Sequence, residues 1–127
     1  MRYLLDTHAF LWCCEGSDKL GKTAKEIIND SDTQKYMSIA SLWEFSIKCS
    51  MGKLQFEGVL SHLQEIVDRN GITVLPITQS YLAGVIELPF IHRDPFDRML
   101  VATAKADGMT ILTADVNIHK YDVPCVW

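Results

Sequence analysis

The sequence predicts an α/β fold: a central, mostly parallel sheet of about five strands with helices on both faces. Three observations carry that reading. Short apolar segments alternate with helix-length amphipathic ones, the spacing that parallel crossovers require. Gly71, Gly108 and Pro95 fall where helices should stop or start. The 127 residues, 48% hydrophobic and 22% charged, suffice for one core without cross-links, and no repeat or linker marks an internal boundary, so positions 1–127 read as one domain.

Taken in order, Tyr3 to Asp6 is a short apolar strand ending in an acid, and it runs into a helix over Thr7 to Cys14 whose Phe10, Leu11 and Cys14 share a face. Gly21 and Lys22 open a second helix, with Ala24, Ile27 and Ile28 on one side. Lys35 to Ile39 reads as the second strand, followed at once by a helix carrying Leu42, Trp43, Phe45, Ile47 and Lys48 that stops near Gly52. Val59 to Asn70 has the period of an amphipathic helix closed by Gly71, and Ile72 to Ile77 is the third strand. A short helix over Ser80 to Ile86, a Pro-Phe-Ile-His loop, a helix from Pro95 to Ala106 and a strand over Met109 to Thr113 follow, and a last short strand includes Val126.

Composition narrows the function. No apolar run approaches the ~20 residues that cross a bilayer, and a carboxylate at Asp6 interrupts any signal-peptide core, so a cytoplasmic protein without a membrane partner is expected. Cys13, Cys14, Cys49 and Cys125 form no C-x-x-C pair, and His8, His62, His92 and His119 show no zinc spacing; reduced thiols and no structural zinc are the expectation. The net charge of −4 argues against a broad basic surface for nucleic acid. Setting four acids aside as a metal site, however, balances the remaining acidic residues against the 12 Lys and Arg.

Those four are Asp6, Glu44, Asp97 and Asp115. In open α/β sheets the reactive crevice lies beyond the carboxyl ends of the strands. Asp6 ends the first strand, Glu44 lies on the helix after the second, Asp97 starts the helix after the long loop, and Asp115 follows the fourth strand. Clustered carboxylates suit Mg²⁺, with Mn²⁺ as a substitute, in a site that shares its coordination sphere with water and phosphate; the chemistry is water attack on a phosphodiester.

Structural explanations compete residue by residue. Asp94 and Pro95 make a good helix start, and Asp94 reads as the N-cap. Asp97 shares a face with Leu100, Val101 and Ala104, which aims it inward and favours a functional role. Ser41 and Glu44 match the S-x-x-E capping box, leaving Glu44 open between cap and ligand on spacing alone. Asp6 could merely end a strand and Asp115 merely cap a turn. Lys48, four residues after Glu44, is a surface pair first and a phosphate contact second. Arg93 and Arg98 flank Asp97 as candidate phosphate contacts. Trp12, Trp43 and Trp127 read as core or interface anchors rather than base-stacking platforms.

Leu-Leu-Asp-Thr-His at 4–8, Ser-Leu-Trp-Glu-Phe-Ser-Ile-Lys at 41–48, His-Arg-Asp-Pro-Phe-Asp-Arg-Met-Leu-Val-Ala at 92–102 and Leu-Thr-Ala-Asp at 112–115 occur in that order. The ordered set resembles the PIN-domain family, in particular the short VapC-type toxins of bacterial toxin-antitoxin pairs, over nearly the whole chain. The resemblance implies that Asp6, Glu44 and Asp97 are the core metal ligands, that Asp115 completes the site, and that Thr7 or Thr113 offers a supporting hydroxyl. It also implies an RNA substrate, a cognate antitoxin, whose carboxylates are the alternative to phosphate as the target of Arg93 and Arg98 beside Asp97, and a homodimer, for which the apolar content leaves surface to cover.

A haloacid-dehalogenase-like phosphatase needs a second Asp where this chain has His8. A flap-type DNA nuclease shares the metal chemistry but needs more chain for its threading helices. A metal-free ribonuclease using His8, His92 or His119 would work in EDTA and leave cyclic phosphates. A catalytically silent PIN-like module that binds RNA or acts as a scaffold would not cleave with Mn²⁺.

Overall fold

The computed structural model describes residues 1–52 and 63–127. Along the chain run β1 (Arg2–Leu5), α1 (Thr7–Glu15), α2 (Lys22–Asn29), β2 (Gln34–Ser38), α3 (Ile39–Ser50), α4 (Leu63–Arg69), β3 (Ile72–Leu75), α5 (Gln79–Glu87), α6 (Pro95–Asp107), β4 (Thr110–Leu112) and β5 (Cys125–Val126). The strands form one five-stranded sheet in the order β3-β2-β1-β4-β5, and every pairing is parallel. All carboxyl ends therefore emerge at one edge. The chain builds outward from β1 through β2 to β3, then crosses to β4 on the other side of β1, so the strand order reverses between β1 and β4.

Period-two alternation along β1 divides the core. Tyr3 and Leu5 point into a cluster with Ala9, Phe10, Ile28, Met37, Leu42 and Ile72. Leu4 points the other way, to Leu100, Val101, Ala104, Met109, Ile111 and Ile118. Both faces of the central strand are thus sealed, which gives the helix-sheet-helix layering the sequence predicts. Lys35, 5% exposed on β2, is tolerated because its Nζ donates to Ile28 O and Asp30 O, carbonyls at the end of α2.

The differences from expectation are local. β3 stops at Leu75 rather than Ile77, since Pro76 has no N–H to continue the ladder. Ile39 belongs to α3, whose N-cap is Ser38: its Oγ accepts from the Ala40 amide at 3.0 Å. Ser41 therefore lies inside the helix, and no capping box forms with Glu44. A 3-10 turn over Ile118–Lys120 was not expected. Gly71 and Gly108 take the left-handed φ of 62° and 63° that closing a helix there requires. Of the expected helix over Val59 to Asn70, the part before Leu63 lies outside the described residues, as does His62. The four cysteines are free thiols, all half-buried.

Candidate active site

Asp6 leaves the carboxyl end of β1 and serves as the N-cap of α1, its Oδ1 accepting from the Ala9 amide at 2.6 Å. The cap fixes the carboxylate beside the point where strand order reverses. Glu44 sits one and a half turns into α3, 8% exposed. One of its oxygens accepts from the Thr7 hydroxyl at 2.5 Å and the other lies 3.5 Å from Lys48 Nζ. Asp115 follows β4; its Oδ1 accepts from the Asn117 amide at 2.8 Å, so the turn-capping role is real and coexists with any other. Asp94 caps α6 through the Phe96 and Asp97 amides, which places Asp97 in the first helical turn.

These segments converge. Asp6, Glu44, Asp97 and Asp115 line one cleft of about 90 Å³, joined there by Thr7, His8, Lys48 and Asp94. A second hollow of about 220 Å³ shares Asp6, His8 and Asp115 and runs on to Trp12. Thr113, fully buried, hydrogen-bonds the Asp6 carboxylate and accepts from the Asp115 amide at 3.0 Å, tying two acids to one hydroxyl.

The electrostatics are those of crowded anions. Burial pushes the Asp97 carboxyl up to about 7, and the charges of Asp94, Asp115 and Glu44 push the same way against the hydrogen bond from His92. Asp6 is also raised, chiefly by burial, although Thr113, the Ala9 amide and His8 oppose the shift. Lys48 pairs with Glu44 and His92 lies beside Asp97, and a hard divalent cation would supply the further counter-charge that such crowding favours. Among the described residues no three His, Cys, Asp or Glu side chains stand grouped as a ready-made ion cage. The donors that line the cleft are carboxylate and hydroxyl oxygens, the kind that hard cations prefer.

Three sequence candidates resolve differently from the acids. Lys48 lines the cleft through its ion pair with Glu44. Arg93 is exposed on the loop before α6. Arg98 is only 6% exposed and cannot reach a partner in solvent: its guanidinium donates to Pro89 O (2.9 Å), Val85 O (3.3 Å) and Tyr121 Oη (3.1 Å) and lies 4.4 Å from the Phe90 ring centre. Sequence reasoning gave His92 a part only in the metal-free alternative and missed its place beside Asp97, whose Oδ2 lies 3.3 Å from Nε2; it gave Asp94 a cap role only, although Asp94 also lines the cleft. The signal for His92 was its place in the same His-Arg-Asp-Pro-Phe-Asp run. Trp43, 60% exposed, meets Phe96 edge-on at 5.4 Å, while Trp12 packs against Trp127 at 5.6 Å.

Comparison with known proteins places the fold among relatives. The model of the PIN domain matches residues 3–124. Ribonuclease VapC22 of Mycobacterium tuberculosis is 28% identical over 123 residues, 95% of this chain and 92% of that protein. The crystal structure of VapBC2 from Rickettsia felis bound to a promoter DNA fragment holds a similar chain: TM-score 0.74, 15% identity, 99% of this chain and 98% of that one. VapBC-1 from nontypeable Haemophilus influenzae gives a TM-score of 0.71 at 16% identity, covering 99% and 97%.

Proposed function

The chain belongs to the PIN-domain family, and from that premise we propose that it is a Mg²⁺- or Mn²⁺-dependent endoribonuclease, the toxin of a bacterial toxin-antitoxin pair acting in the cytoplasm. The observation that carries the reading is the convergence of Asp6, Glu44, Asp97 and Asp115 in one cleft at the carboxyl edge of the sheet. A divalent cation bound there supplies an activated water and a counter-charge for the phosphodiester.

The chain's own residues do the rest. The Ala9 amide and the Thr7 hydroxyl hold Asp6 and Glu44 in fixed orientations before any ligand arrives. Lys48, within the cleft, and Arg93, exposed on the loop next to Asp94, are the cationic groups for substrate phosphates. Uncompensated, the acids repel RNA, so binding becomes conditional on the cation.

The VapC22 ribonuclease relative supports RNA as the substrate, and the VapBC complexes among the structural relatives support an antitoxin partner. Exposed Trp43, Ile86 and Phe90, at 60%, 85% and 78%, support a homodimer, which light scattering at micromolar concentration tests.

Purified protein should cut RNA with Mn²⁺ and not in EDTA, and leave 5′-phosphate and 3′-hydroxyl ends. Products with 2′,3′-cyclic phosphate would replace this reading with the histidine mechanism, and absence of cleavage with Mn²⁺ would replace it with a silent module. Expression alone should arrest growth, and co-expression of the neighbouring open reading frame should restore it.

A further inference from the structure

Behind Asp97 lies a buried polar chain that the cleft itself does not use. Tyr121, 4% exposed, has two hydrogen-bond partners for its hydroxyl among the described residues: Arg98 Nη1 at 3.1 Å and His92 Nδ1 at 2.7 Å. A guanidinium only donates, so the phenol oxygen accepts from Arg98. The single phenolic proton must then go to His92 Nδ1, because leaving it unpaired in a buried place is costly. An imidazole that accepts at Nδ1 carries its own proton at Nε2. That nitrogen faces Asp97 Oδ2 at 3.3 Å.

The assignment is rigid because its origin is. Arg98 is pinned by Pro89 O and Val85 O beneath the Phe90 ring, so the end of α5, the loop after it and α6 all hold the guanidinium in place. The His92 ring in turn packs edge-on to Tyr121 at 5.4 Å.

We propose that His92 is a positioning residue for Asp97: Arg98 and Tyr121 fix its tautomer so that an Nε2–H donor grips Oδ2 and sets the orientation in which the carboxylate meets the divalent cation. The grip matters because Asp94, Asp115 and Glu44 all repel Asp97, and an unheld carboxylate would rotate away from them. A neutral donor behind a ligand carboxylate costs the site no charge, and such outer partners control metal affinity by roughly 10–100-fold in known sites. This inference rests on the metal-site reading given above.

Long-range ¹H–¹⁵N correlation spectra of histidine-labelled, metal-free protein at about pH 8, above the ordinary histidine range, read the tautomer directly, with His92 assigned by its loss in His92→Gln. A single Nε2–H form that becomes a mixture in Tyr121→Phe is expected; an Nδ1–H form in the parent overturns the proposal. Calorimetric Mn²⁺ titration supplies the second arm. His92→Gln puts an amide N–H near the Nε2 position and should keep Mn²⁺ affinity within about 3-fold of the parent. His92→Asn reaches only the Tyr121 side and should lose about 10-fold or more. Equal losses in the two variants overturn the positioning role. Failure of the parent itself to bind Mn²⁺ overturns the metal-site reading, and this inference with it.

Discussion

Replacing Asp97 by Asn should inactivate the protein and stabilise it. In the metal-free fold the Asp97 carboxyl sits at about 7 against an ordinary 3.8, a displacement of about three units at ~1.4 kcal/mol each. Ionised Asp97 thus costs the metal-free fold at most about 4 kcal/mol. A carboxyl whose folded value lies above its unfolded one holds its proton more tightly when folded. Stability therefore falls as pH rises from about 4 to about 7 and stays low above. Burial is the largest part of that cost and goes with the charge, while the repulsion among Asp94, Glu44 and Asp115 remains, so a gain of about 1–4 kcal/mol is expected at pH 8. For a domain of this size that is a rise of at least roughly 3 °C in Tm. The assay is calorimetric melting of parent and Asp97→Asn in EDTA from about pH 5 to 8: the gap should be widest at pH 8 and shrink as pH falls. Adding Mn²⁺ should raise the Tm of the parent only. If Asp97 merely faced the dipole of α6, the substitution would cost roughly 0.3–1 kcal/mol and leave cleavage intact; a less stable, active variant refutes the reasoning.

Thr7→Val removes the hydroxyl that donates to Glu44 and should cost about 1.5–3 kcal/mol by denaturant melting while lowering Mn²⁺ affinity by about 10-fold. Arg98→Met should lower stability by about 1–3 kcal/mol, because it strips a buried phenol and two part-buried carbonyls of their donor; an unchanged Tm with weaker RNA binding would restore the solvent-facing role for Arg98. Gly21→Ala sets a Cβ 2.6 Å from the Trp127 backbone and ring, so it should cost about 1–3 kcal/mol, with cleavage per folded molecule unchanged.

Much of the fold was legible because its signals are local. Asp94-Pro95 and Gly108 bracket α6 by capping chemistry alone, and the apolar run Tyr3-Leu4-Leu5 announces a strand buried on both faces. The failures occur where two local patterns compete. Ile39 extends a strand pattern and also opens a helix, and the S-x-x-E spacing of Ser41 and Glu44 is real although the chain turns helical three residues earlier, at the Ser38 cap.

Asp6, Asp97 and Asp115 of the candidate site were legible for the same reason, since each sits at or just beyond the end of an element that its own neighbours define, whereas Glu44 lies mid-helix. The residues that hold them were not. The Thr7–Glu44 bond spans 37 positions and Arg98–Tyr121 spans 23, so no window of sequence contains both partners. An arginine beside two aspartates looks solvated on paper; in the fold, Pro89, Val85 and Tyr121 absorb its donors and it becomes an internal strut. His92 gains its proposed role only from what lies on its far side, the phenol of Tyr121 2.7 Å from Nδ1. The proposed metal site, written in local sequence, thus rests on a supporting shell written in tertiary contacts, and on that proposal substitutions in the shell should alter metal affinity without touching any of the four acids.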